Sequence, residues 1–166
     1  MRRVRVAMMV MIGLGLALML GLTSADAADA PKADQVIVYK SKRIMHLLRN
    51  GWIVRSYAIR LGDKPVGPKI FENDGRTPEG HYLIDGRNAK STFHLSLHIS
   101  YPSDDDTARA QQYGSTPGGA IFIHGTPGKG GRYNSDWTNG CIAVLNHEIE
   151  EIWRAVDDGT PIEIKP

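Results

Sequence analysis

The dipeptide Asn50-Gly51 is the strongest short-range hairpin signal in this sequence. Both central residues of a type I′ turn need positive φ, which asparagine and glycine adopt most readily, and the twist of that turn suits the strands it joins. Residues 43–49 and 52–61 flank it as the two strands, and residues 35–39 are β-branched and alternating ahead of them. The chain is therefore committed early to antiparallel pairing.

The rest is punctuated in the same way. Gly62-Asp63-Lys64-Pro65 turns the chain, residues 73–80 are turn chemistry throughout, and residues 81–85 leave that turn as a strand. Residues 91–100 alternate most cleanly, with Phe93, Leu95, Leu97 and Ile99 on one face and Thr92, His94, Ser96, His98 and Ser100 on the other. Pro117-Gly118-Gly119 turns into a buried-type strand at 120–124, and 162–164 closes the chain as another. Ser103 with Asp104, Asp105 and Asp106 has the spacing of a capping box and an acidic first turn, and predicts a helix to about Tyr113. Asn146 is placed to cap a second helix over 147–156, with Ile149, Ile152, Trp153 and Val156 as its apolar face and Gly159 beyond its end. Strands that come as hairpins, without alternating helices, predict a mostly β protein: a β-sandwich or β-rich α+β domain with two short peripheral helices.

A chain of 166 residues can bury one substantial core once its first segment is set aside. Arg2, Arg3 and Arg5 precede an almost wholly apolar run from Val6 to Leu22, and Ala25-Asp26-Ala27 and Ala28-Asp29-Ala30 both offer small residues at cleavage spacing. That pattern predicts a signal peptide over 1–27, cleaved after Ala27 or Ala30, a lead-in at 28–34 and a domain over 35–166. The expected location is the periplasm or cell envelope, with membrane contact only through an uncleaved signal segment. Cleavage after Ala27 removes three arginines and one aspartate from 20 basic and 18 acidic residues, which leaves the two signs equal. No stripe of Lys and Arg with interleaved aromatics is present, so nucleic acid is not an expected partner.

Cys141 is the only cysteine. In an oxidising compartment it has no internal disulfide partner and is left to pair between chains, to sit buried and inert, or to react. Its surroundings favour reaction. His124 ends the strand at 120–124 and faces the glycine-rich loop that returns at Cys141. A thiol is mostly protonated at neutral pH; an imidazole within reach takes that proton during attack or holds an ion pair in advance, which is worth about 10²–10⁴-fold. Gly140 lets the backbone bend so that the amides of Gly140 and Cys141 can point at a developing oxyanion. No acidic residue is obviously placed to orient the imidazole, which leaves a backbone carbonyl near Gly125 for that role.

Two rival chemistries find little support. The loop lacks the Gly-Lys-Ser/Thr ending of a phosphate cradle. His94 and His98 would lie roughly 13 Å apart on a strand at ~3.3 Å per residue, and there is no Cys pair and no helical His-x-x-x-His, so no metal and no cofactor is expected.

Three features occur in order: Arg76-Thr77-Pro78-Glu79-Gly80 before a strand, His124-Gly125 at a strand end, and Thr138-Asn139-Gly140-Cys141-Ile142. On these, the chain from about Gln35 to Val156 resembles the L,D-transpeptidase catalytic domain, the YkuD family. The resemblance implies a β-sandwich with peripheral helices and a cysteine acyl-enzyme that builds or edits peptidoglycan cross-links. Carried over, Cys141 corresponds to the nucleophile, His124 to the general base, Gly125 to the residue whose carbonyl orients it, and Gly140 and Cys141 to oxyanion-hole amides. Asn139 stands where the family usually has a second histidine, and Ala143 where an arginine commonly follows the cysteine; such an arginine is a partner for a peptide carboxylate. Tyr133, Asp136, Trp137 and Asn139 are the candidates for replacement substrate contacts, with core packing as the other reading of Trp137.

The implied reaction is attack of Cys141 on the carbonyl between the L-centre of diaminopimelate and the terminal D-alanine of a stem tetrapeptide. D-alanine leaves, and an amine from a second peptidoglycan stem peptide or an envelope protein's lysine resolves the thioester. Water in place of the amine makes an L,D-carboxypeptidase, or a hydrolase that detaches proteins from the wall. A non-catalytic peptidoglycan-binding module with a structural Cys141 is a third reading, against which the pairing of His124 with Gly140-Cys141 stands.

Overall fold

The computed structural model describes residues 31–128 and 134–166. The expected signal peptide and both cleavage positions lie outside the described residues. β1 (Gln35–Tyr39), β2 (Ile44–Arg49) and β3 (Trp52–Ala58) form an antiparallel meander. Asn50 and Gly51 take φ values of 51° and 79°, both positive, as their turn requires.

The chain continues through β4 (Gly80–Asn88), β5 (Ser96–Ile99), α1 (Asp104–Gln112), β6 (Phe122–His124), β7 (Ile142–Ala143), α2 (Asn146–Ala155) and β8 (Pro161–Lys165). Among the described residues the strands make one sheet in the order β3-β2-β1-β8-β4-β5-β6-β7. β8 is inserted in the middle, parallel to β1 and antiparallel to β4, so Ile162 and Ile164 tie the two ends of the chain into one core. β4 pairs with β8 over 80–83 and with β5 from Ile84 onward, changing partner at a bulge between Ile84 and Gly86.

The sheet curls on itself. Beyond β3, Arg60 exchanges both backbone hydrogen bonds with Ala143 of β7, each 2.8 Å long, so the two ends of the strand order meet. The curl encloses a core that includes Leu47, Ile59, Leu61, Ile99, Ile123 and Ile142, sealed by Ile149 and Ile152 of α2. Burial of such side chains contributes about 1.5–3 kcal/mol each before conformational entropy is charged against it.

Two expectations need correction. Residues 91–95 do not extend the strand; β5 begins at Ser96, and His94 takes φ 74°. Phe93 instead lays its ring against the His124 imidazole, with ring centroids 4.5 Å apart, and β preference yields where a better packing surface is on offer. His94 and His98 are consequently not on one strand, and they bond separately to Glu150 at 2.6 Å and to Asp85 at 2.5 Å. The second correction concerns α2, whose N-cap is Leu145; the Glu148 carboxylate accepts its N–H at 2.8 Å. Asn146 is used elsewhere, its Oδ1 accepting the Thr126 N–H at 2.7 Å and the Thr126 hydroxyl at 3.2 Å, which ties down the chain just after His124. Ser103 does cap α1 as expected, in reciprocal bonds with Asp106.

Candidate active site

Parallel pairing of β6 with β7 sets Ile123 beside Ile142 and His124 beside Ala143. One residue earlier, Cys141 comes alongside Phe122. Alternate residues share a face, so Ile123 and Ile142 enter the core while Cys141, Phe122 and His124 belong to the opposite face. Cys141 and His124 both line a cavity of about 350 Å³ on that face.

His124 is only 3% exposed, covered by Phe93 and by Trp137, whose ring lies edge-on at 5.7 Å. Its Nδ1 lies 2.6 Å from the Gly125 carbonyl oxygen. A carbonyl can only accept, so Nδ1 carries the proton and Nε2 is left with a lone pair. Burial lowers the pKa of His124, with the Gly125 bond acting in the opposite sense. Burial likewise pushes the Cys141 thiol up, against a hydrogen bond from the Phe122 N–H and the positive charge of Lys69. Both shifts favour a neutral thiol beside a neutral imidazole at rest. The thiol's own contact is with the Ala120 carbonyl, 3.6 Å away.

The loop that delivers the cysteine is fixed by Thr138. Its buried hydroxyl donates to the Cys141 carbonyl at 2.7 Å and accepts the Gly140 N–H at 3.2 Å. The Gly140 amide is thus engaged, whereas the Cys141 amide makes no hydrogen bond among the described residues. Beneath this loop runs the turn 76–80. Thr77 is fully buried and its Oγ1 accepts the Gly62 N–H at 3.1 Å. Lys40, itself 2% exposed, fastens the turn by donating to the Thr77 carbonyl at 2.8 Å, the Glu79 carboxylate at 2.8 Å and the Gly67 carbonyl at 2.6 Å. Alongside it, Lys69 and Asp74 form a buried ion pair at 2.9 Å. Burial would raise the Asp74 pKa, but bonds from the Ile70 N–H, Lys69 and the Arg76 and Phe71 N–H groups outweigh it and hold the carboxyl below the usual range.

A family comparison can be set beside this geometry. The sequence model for YkuD, the L,D-transpeptidase catalytic domain, matches residues 33–164. The chain belongs to the YkuD family. YafK of Escherichia coli (strain K12), to which L,D-transpeptidase activity is attributed rather than demonstrated, is 28% identical over 107 residues, covering 63% of this chain and 37% of YafK. The crystal structure of the helical cell shape determining protein Pgp2 from Campylobacter jejuni superposes with a TM-score of 0.61 at 28% identity, over 79% of this chain and 47% of Pgp2. L,D-transpeptidase 1 of Mycobacterium tuberculosis shares the fold, with a TM-score of 0.51 at 17% identity over 79% of this chain and 60% of that one. The chain spans less than half the length of YafK and of Pgp2.

Of the residues singled out in the sequence, this YkuD domain brings Cys141, His124, Gly125 and Gly140 together. Others it does not. Asp136 is bound by the Arg43 guanidinium, at 2.9 Å from Nε and 2.7 Å from Nη2, and accepts the Leu61 N–H at 2.9 Å; it lines no part of the thiol cavity. Asn139 is exposed and donates to Asn73 Oδ1 at 2.9 Å, also outside the cavity lining. Trp137 packs on the imidazole and lines a second cavity of about 180 Å³ together with Arg60 and Glu148, and its buried Nε1–H has no acceptor among the described residues. Tyr133 lies outside the described residues. Among the described residues no group of three or more His, Cys, Asp or Glu side chains could hold a metal ion. Sequence reasoning missed Phe93, Asn88, Lys90 and Ser96 as cavity residues. Ser96 pairs with His124 across β5 and β6, a register that the alternation within one strand does not reveal.

Proposed function

We propose that this chain is an exported cysteine acyltransferase that acts on peptidoglycan stem peptides by L,D-transpeptidation. The observation that carries the reading is the single cavity shared by Cys141 and a His124 whose Nδ1 is held by the Gly125 carbonyl. In this reading His124 Nε2 accepts the thiol proton as sulfur bonds to the carbonyl carbon at the L-centre of diaminopimelate. The Cys141 N–H, which has no other partner among the described residues, donates to the oxyanion. The Gly140 N–H can join it only by giving up its bond to Thr138. Collapse breaks the bond to D-alanine, whose amine takes the proton from His124, and a thioester remains. A second stem's amine then attacks the thioester, losing a proton to His124, and the thiol is restored. A neutral resting pair suits this order, because the base acts during attack. The segment 1–27 supports an export signal that brings the domain to the envelope, where such stems are found.

The test is incubation of the mature protein, and of Cys141→Ala, with purified disaccharide tetrapeptide, followed by mass analysis of protein and products. Wild type should carry a thioester adduct, release D-alanine and yield cross-linked dimer. Tripeptide alone would replace transfer by hydrolysis. Identical behaviour of wild type and Cys141→Ala would overturn the reading.

A further inference from the structure

One wall of the cavity has no part in the mechanism above. Asn88 of β4 pairs with Ser96 of β5, and Ser96 pairs with His124 of β6, so the three stand in one row across the sheet on the same face. Leu95 accepts the Gly125 N–H, which makes Ser96 and His124 the closely spaced, non-hydrogen-bonded kind of antiparallel pair. Ser96 is 4% exposed and lines the cavity, and its hydroxyl makes no hydrogen bond with any described residue. A hydroxyl on a cavity wall without a protein partner is left to a ligand or to water for its hydrogen bond. Asn88 Oδ1 accepts the Lys90 N–H at 2.9 Å, which engages the oxygen of that exposed amide and leaves its NH₂ as the free end among the described residues. Lys90 stands at the cavity's rim with no ion-pair partner among the described residues, and no carboxylate side chain lines the cavity. The wall therefore offers a hydroxyl, an amide donor and one positive charge, with nothing to balance that charge.

We propose that Ser96, Asn88 and Lys90 form a carboxylate subsite that recognises the C-terminal carboxylate of the residue expelled when Cys141 is acylated. The proposal rests on the acyltransfer reading above. Reach supports this assignment. Strands are spaced at about 4.8 Å, so Ser96 lies one strand away from His124 and Asn88 two. A terminal carboxylate lies one residue, about 3.8 Å of chain, beyond the scissile carbonyl. A carbonyl held between Cys141 and His124 thus delivers the carboxylate to Ser96, with Lys90 closing over it from the rim. The site reads the end of a peptide and rejects an internal bond, where no carboxylate follows.

The experiment uses two donors, a stem tetrapeptide ending in D-alanine and the same peptide ending in D-alaninamide. Binding is titrated on the Cys141→Ala protein and acylation is timed on the wild type, each with and without Lys90→Ala, Lys90→Glu and Ser96→Ala. The free acid should bind about tenfold tighter than the amide, in keeping with one charge-assisted hydrogen bond at a partly exposed rim. Lys90→Ala should remove that preference by raising KM for the acid about tenfold, to the level of the amide; Lys90→Glu should reverse it, and a further variant, Lys90→Arg, should restore it. Ser96→Ala, one atom smaller and conservative in the core, should weaken the acid more than the amide. Equal binding of acid and amide, or a preference that survives Lys90→Ala, overturns the subsite. Acid-selective binding without any acylation of the wild type leaves the subsite standing and removes the acyltransfer reading.

Discussion

The Arg76 carbonyl oxygen lies in the space that a side chain on Gly140 would need. A Cβ built on Gly140 comes within 2.6 Å of that oxygen and 3.2 Å of Ile121 Cδ1, and the residue holds φ 120°, where L side chains are rarely found. The residue before the nucleophile is glycine for a steric reason and a conformational one at once. The turn 76–80 is the platform on which the cysteine's loop rests.

Gly140→Ala should therefore damage activity more than stability. Strained backbone and a displaced turn cost about 1–3 kcal/mol, while a shift of the thiol by an ångström costs acylation about 10²-fold. Gly159 is the control: it holds φ 88° with nothing within 4 Å of its built Cβ, so Gly159→Ala should lose stability alone. Urea midpoints and acylation rates of both variants check this, and wild-type acylation by Gly140→Ala would refute the packing account.

The sheet and the paired residues were legible in the sequence because local chemistry specifies them. Asn50-Gly51 defines its own turn, and Ser103 with Asp106 its own cap. His124 and Cys141 could be matched because each sits beside a glycine that bends the chain at the site. What stayed hidden depends on contacts between distant segments. Phe93 left its strand pattern to cover His124, Asn146 gave up its cap for Thr126, and Asp136 was taken by Arg43, none of which a one-strand or one-helix period encodes. In the alternation Ser96 is one polar residue among five on its face, and only its register opposite His124 sets it at the site.

Burial of the imidazole carries a pH signature in both rate and stability. The His124 pKa is lowered on folding, so below the ordinary histidine value the unfolded chain binds more protons than the native one, and native stability falls as pH drops through that value toward the folded one. Above it the contribution is fully present. The same shift puts the acid limb of acylation below about pH 6.5. Urea midpoints between pH 5 and 8 should show this slope in wild type and lose it in His124→Ala, which should also acylate about 10²–10⁴-fold more slowly. A slope unchanged in the variant would assign the titration to another group.

Phe93 is the nearer of the two rings on that imidazole, so Phe93→Ala should let water reach His124 and move its pKa back up toward the ordinary value. A proton-detected titration of the His124 ring measures this directly. The acid limb of acylation should move to higher pH with it. A variant whose ring titrates as in wild type would mean that Trp137 and the strand, not Phe93, exclude the solvent.

Thr138→Val should loosen the nucleophile loop, since it removes the donor to the Cys141 carbonyl and the acceptor of the Gly140 N–H while keeping the side chain's shape. Leaving two buried backbone groups without partners costs about 1–3 kcal/mol each. Thr138→Ser, which keeps the hydroxyl, should recover most of the loss in urea midpoint and in acylation rate. Equal loss in both variants would trace the effect to the methyl group's packing.

Lys69 supplies the positive charge that acts on Cys141, and its partner Asp74 is what makes that charge tolerable in the interior. Asp74→Asn should leave a buried ammonium unpaired and destabilise the protein by about 3–5 kcal/mol. Lys69→Met should strand the carboxylate at a similar cost, yet Lys69→Met combined with Asp74→Leu should recover much of it, because no uncompensated charge remains. The thiol reports the electrostatic part separately. With the cation gone, the Cys141 pKa should rise further, so in the double variant the pH profile of iodoacetamide alkylation should move to higher pH than in wild type. A profile that stays in place would show that the pair supports the turn mechanically and leaves the thiol's ionisation to its burial and to the Phe122 N–H.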